Sequence, residues 1–553
     1  MALHRWRIAL ALIVLAAIPG LLIPTAASAQ QTQAVELPRI EKREGGHLLL
    51  VDGEPYLMLG AQANNSSNYP AMLPKVWPMM ARLNANTLEI PVAWEQLEPE
   101  EGRFDFSYLE ALLQGARANN LRLVLLWFAS WKNTGPNYAP AWVKTNTQRF
   151  PRMTTPEGTA HYVLSPHGRS TLEADKRAFV QLMTWLRDND PQRTVIMVQP
   201  QNEVGAYGQK RDHSPEAEHL FAGPIPSELA QHVGRSGSWT EAFGPSLADA
   251  AFNSWYTARY IDEIAAAGQQ VLDLPMFTNA ALSDPFAQAG TGGGASGGPD
   301  MPVIDVWKAA APHIDFVAPD IYLREERQVA EVMRLYARPD NPLMVPEIGN
   351  AADFARYFWI ALGRGAIGFA PFGMDYTGYS NYPLGAKELD AATIEAFASK
   401  YRLFAPMAGA WARIAAENPT WGTAKPKDES GQSTRMGRWT VNVSYNEWQF
   451  GSRDSPWLTS DPHPNEGQPV GGAVVAQTGP DTFLVAASDA RLNFGLADAQ
   501  PGENGTMLKV EEGTLNPDGS FAMRRVWNGD QTDYGLNFTS QPVLLRVTMG
   551  TYR

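Results

Sequence analysis

The sequence predicts an α/β protein: a (β/α)8 barrel followed by a smaller antiparallel β-sandwich. Three observations carry this. Eight short apolar runs alternate with stretches at helical spacing, the pattern of βαβ units around a parallel sheet. Beyond about residue 405 that spacing gives way to short alternating runs separated by turns such as Asn516-Pro517-Asp518-Gly519. Polar and aromatic residues collect just after the apolar runs, and the C-terminal strand ends are where such barrels place their chemistry.

In chain order, Arg5 and Arg7 precede an apolar run, residues 8–23, which leads to Ala27-Ser28-Ala29. A positive start, an apolar middle and a small-residue end describe a secretory signal. Pro19 and the shortness of the run weigh against a membrane anchor. The expectation is a signal peptide over 1–29, a barrel over 30–404 and a β-sandwich over 405–553. The protein is then periplasmic or extracellular, with no membrane partner after cleavage.

The barrel strands are expected at 56–60, 87–92, 122–127, 195–199, 275–279, 316–319, 343–346 and 366–370. Helical spacing marks 74–83, 108–118, 172–187, 247–267, 328–337 and 352–362. In the C-terminal part, strands are expected at 439–445, 473–477, 482–486, 523–527 and 543–549.

Composition narrows the function. The chain has 553 residues, with 45 Lys+Arg against 58 Asp+Glu and a net charge of -13. It has no basic run, so nothing suits a nucleic acid, whose phosphates must be neutralised. Cys is absent, which excludes disulfides, thiolate metal sites and a Cys nucleophile. The nine His form no H-E-x-x-H and no close cluster, so neither a metal nor a cofactor is expected. Gly290-Thr291-Gly292-Gly293-Gly294 lacks the ending of a phosphate-binding loop and suits a flexible rim loop. The 17 Trp and 18 Tyr offer flat faces for stacking on a ligand, or for packing a core.

Two carboxylates stand out by position. The run 195–199 continues through Pro200-Gln201-Asn202 to Glu203, and Leu343-Met344-Val345-Pro346 ends on Glu347. A carboxylate at a buried strand end is costly unless it is paired or functional. Cleaving a glycosidic bond needs two such groups flanking it, one to protonate the leaving oxygen and one to attack the anomeric carbon or activate water. Sugar-binding candidates follow the other runs: Asn64 and Asn65, Trp94, Trp127 and Trp131, Asn279, Asp320 and Tyr322, and Phe372 with Asp375. Glu89, inside the second run, points either into the barrel or toward a buried ion pair with an Arg. Glu98 is expected to fix a loop.

The segment Ile90-Pro91-Val92-Ala93-Trp94-Glu95-Gln96-Leu97-Glu98-Pro99-Glu100-Glu101-Gly102-Arg103-Phe104-Asp105-Phe106 resembles the second-strand segment of glycoside hydrolase family 35, the β-galactosidases. In that segment a Trp, an E-P and a G-x-[FY]-D-F recur. The resemblance runs from Leu48 to about Tyr376, and the C-terminal part resembles the β domain of a bacterial subgroup. It implies the clan of (β/α)8 retaining glycosidases. By resemblance, Glu203 is the general acid/base, Asn202 binds the sugar 2-hydroxyl, Glu347 is the nucleophile, and Tyr322 donates a hydrogen bond to it. Leu97 stands where many relatives have His, and Gly60-Ala61-Gln62-Ala63-Asn64-Asn65 departs from the usual first-strand motif.

The activity so implied is that of a secreted retaining exo-β-galactosidase acting on plant oligosaccharides or polysaccharides, with xyloglucan side chains as one substrate. The alternatives are another retaining β-glycanase of the clan, endo-acting, and a non-catalytic carbohydrate-binding protein. The expected partner is a β-galactoside. Two neighbouring carboxylates cannot both ionise easily, so Glu203 should hold a proton while Glu347 stays charged.

Overall fold

The computed structural model describes residues 36–448 and 461–553. The segment expected to be a signal peptide lies outside them. Eight parallel strands form the centre: β1 (Met58–Gln62), β2 (Thr87–Ala93), β3 (Arg122–Lys132), β4 (Val195–Asn202), β5 (Phe277–Ala281), β6 (Phe316–Ile321), β7 (Met344–Ile348) and β8 (Gly368–Pro371). Nearly every residue in them is buried, as expected of parallel strands covered on both faces. Their order is β5-β6-β7-β8-β1-β2-β3-β4. The barrel is nearly closed. Between β4 and β5 the backbone is joined by one bridge, Val198 to Met276, and by a hydrogen bond from Val198 N to Pro275 O at 3.0 Å.

Each expected strand is present, with shifted ends. β3 runs five residues beyond 127, to Lys132, and β4 runs on to Asn202. Inside the barrel, Val124, Leu126, Phe128, Phe277, Phe316 and Met344 share one apolar cluster, and Phe277 stacks on Phe316 at 5.2 Å. An antiparallel sheet of Arg39–Lys42, His47–Val51 and Glu54–Pro55 adds Leu49 and Val51 to that cluster.

The outer helices are α1 (Leu73–Leu83), α2 (Ser107–Ala118), α3 (Arg169–Asn189), α4 (Ala248–Gln269), α5 (Ile304–Ala310), α6 (Glu326–Tyr336), α7 (Tyr357–Gly363), α8 (Ala391–Phe404) and α9 (Ala408–Glu417). α6 shows why they form. Val329, Val332, Met333 and Tyr336 are buried on one stripe while the rest faces out. The stretch 352–362 divides into a 3-10 turn, Ala352–Arg356, and α7. Helix α9 extends past 405, so the helical region ends later than the sequence pattern indicates.

After α9 come β9 (Thr420–Ala424), β10 (Gln432–Met436), β11 (Trp439–Ser444), β12 (Gly472–Gly479), β13 (Thr482–Ser488), β14 (Ala490–Leu496), β15 (Asn504–Leu515), β16 (Phe521–Val526), β17 (Leu536–Phe538) and β18 (Val543–Tyr552). They make two antiparallel sheets, β9-β12-β13-β18-β15-β16 and β10-β11-β14-β17. Trp439, Val441 and Val443 of the smaller sheet join Val475, Phe483, Val485 and Val547 of the larger in one apolar cluster. β9 lies directly on α7. A Cβ on Gly363 would come within 1.9 Å of Gly422 N, so only glycine permits this approach. Every residue of α7 is buried as a result.

Candidate active site

Glu203 reaches the barrel mouth through an unusual turn. Gln201 and Glu203 both have positive φ, 65° and 43°, a conformation that non-glycine residues adopt only when neighbours hold it. The holding groups are visible. Gln201 accepts from Trp131 N at 3.0 Å and donates to Asp175 Oδ2 at 2.7 Å. Asp175 also accepts from Trp127 Nε1 at 2.8 Å and from Ser130 Oγ at 2.6 Å. Glu203 N donates to Asn279 Oδ1 at 2.9 Å, and Thr134 N donates to Glu203 O at 3.0 Å. The strained peptide turns the Glu203 carboxyl out of the strand and into the cavity.

Glu347 lies on β7, level with Asp320 on β6. Its Oε1 accepts from Tyr322 Oη at 2.5 Å, while Oε2 is buried without a partner. Asp320 Oδ2 accepts from Asn279 Nδ2 at 2.6 Å, and its Oδ1 is buried and unpartnered. One carboxylate oxygen from each of Glu203, Asp320 and Glu347 lies within 4.8 Å of the others. Among the described residues this trio alone is spaced to hold a cation. Lys132, buried at the end of β3 with its ammonium 3.0 Å from the Asn202 amide, supplies positive charge beside it.

The electrostatics separate the acids. Burial, then the charge of Glu347, lifts Glu203 to about 7, against the pull of Lys132 and the Asp320 carboxyl. Asp320 is pushed well above the carboxylate range by burial and then by Glu347 and Glu203. Glu89 is pushed up as strongly, by burial and then Glu347. Burial and Glu347 also keep the Tyr322 phenol protonated, so it remains a donor.

A cavity of about 430 Å³ opens over these groups, within the usual size range of small-molecule sites. Its floor is Glu203, Asp320, Glu347 and Lys132, and Asn65, Tyr322 and Phe372 line its walls with Tyr207, Tyr379 and Leu384. A second cavity of about 490 Å³ adjoins it. Gly294 borders both, and the second is lined by the Gly-rich loop and by Ala206–Lys210, just after Glu203.

The structure sorts the sequence candidates. Glu203, Glu347, Tyr322, Asn65, Asp320 and Phe372 line the cavity. Asn202 and Asn279 lie beneath it, fully buried, with their amides 3.2 Å apart. Trp94 and Trp131 do not reach it. Trp94 opens a short helix, Trp94–Leu97, is fully buried against Trp142, and its indole N–H is spent on Glu98 at 2.8 Å. Trp131 is buried edge-on against Tyr260. Trp127 is tied to Asp175. Asp375 clasps the first and last strands instead of facing sugar. It accepts from Asn64 N at 2.9 Å, Asn64 Nδ2 at 2.9 Å and Ser67 Oγ at 2.6 Å. Glu98 holds its loop through Gly102 N at 2.7 Å. Glu89 has no Arg partner; both its oxygens are buried and unpaired.

Sequence reasoning missed Lys132, Asn133, Tyr207, Tyr379, Asn381 and Leu384. A lone Lys five residues past an apolar run was the one available signal. The C-terminal sheets act on the mouth at second hand. Arg356 donates to Pro469 O and Arg324 O, both at 3.3 Å. Arg324 in turn donates to Pro383 O at 3.0 Å and Leu384 O at 3.3 Å, on the loop that walls the cavity.

Two buried carboxylates at the ends of β4 and β7 of a (β/α)8-type barrel are the arrangement that cleavage of a glycosidic bond requires, and the sequence is similar to that of glycoside hydrolases. The sequence model of glycoside hydrolase family 42, described as beta-galactosidase, matches residues 71–270. This corrects the expected family 35. The likeness to β-galactosidases stands, while the matching model is that of family 42. A second model, described as a domain of unknown function, matches residues 397–539. No curated protein matches.

Among solved structures, a β-galactosidase from Bacillus circulans sp. alkalophilus superposes with a TM-score of 0.51 at 10% identity, over 89% of this chain and 99% of that one. A cold-adapted β-galactosidase from Rahnella sp. R3 gives 0.47 at 17% identity, over 66% and 61%. The β-galactosidase of Halorubrum lacusprofundi gives 0.45 at 17%, over 65% and 61%. This chain thus spans about three fifths of the length of the latter two enzymes.

Proposed function

We propose that the protein is an exported retaining exo-β-galactosidase that removes terminal β-galactosyl residues from plant oligosaccharides or polysaccharides. The carrying observation is the approach of Glu203 and Glu347 to within 4.8 Å. Retaining glycosidases hold their carboxyl groups about 5–5.5 Å apart, and inverting ones about 6.5–9.5 Å. The surroundings of the two acids support the same division of labour. Glu347, held by Tyr322, attacks the anomeric carbon. Glu203, protonated up to about pH 7, protonates the departing oxygen and later takes a proton from water.

The mouth supports a substrate longer than a disaccharide. Among the described residues, the exposed large apolar side chains of the barrel all lie in segments that follow strands at the catalytic end: Tyr69, Tyr207, Phe286, Tyr376, Tyr379, Tyr382 and Leu384 in loops, and Tyr162 in the short strand Ala160–Leu164 after β3. Exposed aromatic faces there suit stacking on pyranose rings. The second cavity continues on the side of Glu203, where the leaving sugar departs. Xyloglucan side chains satisfy these features. The Arg5–Ala29 pattern supports export, and the shared cluster of the two C-terminal sheets supports a sandwich.

The test is a screen of nitrophenyl β-glycosides, with NMR of the first-formed anomer. β-Galactose appearing first from the galactoside is the expected result. First formation of the α-anomer overturns retention, and preference for another glycoside overturns the sugar.

A further inference from the structure

Double displacement needs two carboxyl groups, and this cavity holds three. Asp320 is 2% exposed, lines the cavity, and places an oxygen within 4.8 Å of both Glu203 and Glu347. Its two oxygens differ. Oδ2 is fixed by Asn279 Nδ2 at 2.6 Å, and Asn279 Oδ1 accepts from Glu203 N at 2.9 Å. One asparagine therefore ties the Asp320 carboxyl to the backbone of the acid/base. Oδ1 is buried and free of hydrogen-bond partners. Three carboxylates this close cannot all be charged beside a single ammonium, that of Lys132.

We propose that Asp320 is a positioning residue for proton transfer: a neutral carboxyl group whose O–H supports the Glu203 carboxylate whenever Glu203 has given up its proton. This rests on the double-displacement reading above. In the first step the Glu203 proton passes to the glycosidic oxygen. That oxygen keeps the electron pair of the breaking bond to the anomeric carbon, and a Glu347 oxygen forms the new bond. Glu203 is left as a carboxylate, and the Asp320 O–H donates to it. In the second step water bonds to the anomeric carbon, the bond to Glu347 breaks, and Glu203 takes the water proton. Asp320 ends with the proton it began with. The groups acting on it are Glu203 on β4, Glu347 on β7, Lys132 on β3 and Glu89 on β2, with Tyr207, Tyr322 and Tyr336 as neutral phenols nearby. Burial and the two catalytic acids favour its protonated form, in agreement with this role.

The experiment compares Asp320→Asn and Asp320→Ala on a dinitrophenyl β-galactoside, whose leaving group needs no proton, and on an unactivated galactosyl disaccharide. D320N keeps a neutral donor. It should retain activity on both substrates within about fivefold, with the alkaline limb of its kcat/KM profile unmoved. D320A should lose kcat on the disaccharide by roughly 10- to 100-fold, the scale of one hydrogen bond to a charged group, and little on the activated substrate. A D320N profile whose alkaline limb falls means that Asp320 is ionised in the native enzyme and overturns the proposal. So does an equal loss on both substrates in D320A. Glu203→Gln serves as the control: if it too shows no leaving-group dependence, the acid/base reading of Glu203 is what fails.

Discussion

Glu203, Asp320 and Glu347 on the cavity floor are 9%, 2% and 3% exposed, while Tyr207, Tyr379 and Leu384 above them are 44%, 65% and 47% exposed. The floor groups stand at strand ends: Glu203 N donates to Asn279, Asn279 donates to Asp320, and Tyr322 donates to Glu347. The rim groups stand on loops. The floor is where charge must be placed to a fraction of an ångström, because catalysis depends on geometry at the reacting bond. The rim only adds contact area. The two regions should therefore answer differently to substitution.

The largest effect belongs to the floor. Glu347→Gln should lower kcat by roughly 10⁴-fold or more, with an unchanged melting temperature. Steady-state kinetics and thermal unfolding check both. Glu203→Gln should lose roughly 10²–10⁴-fold on substrates with sugar leaving groups. Tyr322→Phe should cost roughly 10- to 100-fold in kcat, since it removes one donor from a charged acceptor.

The floor should also set the pH profile. With Glu203 as the proposed general acid, kcat/KM should fall as pH rises through about 7, where its proton is lost. A limb that persists at the same pH in E203Q would assign it to another group. The rim gives the smallest effects. Tyr379→Ala and Tyr382→Ala should leave nitrophenyl galactoside hydrolysis unchanged. They should weaken kcat/KM on long oligosaccharides by roughly 5- to 20-fold, the scale of one lost stacking contact. A loss on the small substrate would place these tyrosines on the floor side of the comparison.

The same contrast explains what the sequence revealed. Glu203 and Glu347 were legible because an apolar run ending in an acid is costly without a purpose, and strand ends in barrels face the site. Trp94 misled because β2 gives way to a short helix at that residue, and Trp131 because side chains alternate across a strand. A residue one or two places away can face the helices instead of the mouth, and no composition signal tells the difference. β3 continues for five residues past Trp127, which carries Lys132 and the following Asn133 to the cavity in its place. Strands such as β10, Gln-Ser-Thr-Arg-Met, carry no apolar run. They are strands only because β11 pairs with them. The rim tyrosines were invisible because a loop's path is set by what it packs on, not by a period.

The relay from Pro469 through Arg356 and Arg324 to Leu384 gives the segment leading into β12 a hold on a wall of the cavity. Arg324→Ala would cut this strut while leaving every acid of the floor and the packing of β9 on α7 in place. Such a variant would turn over small substrates near normally while its grip on polymers slackens, as a vice does when the bench beneath it is unbolted.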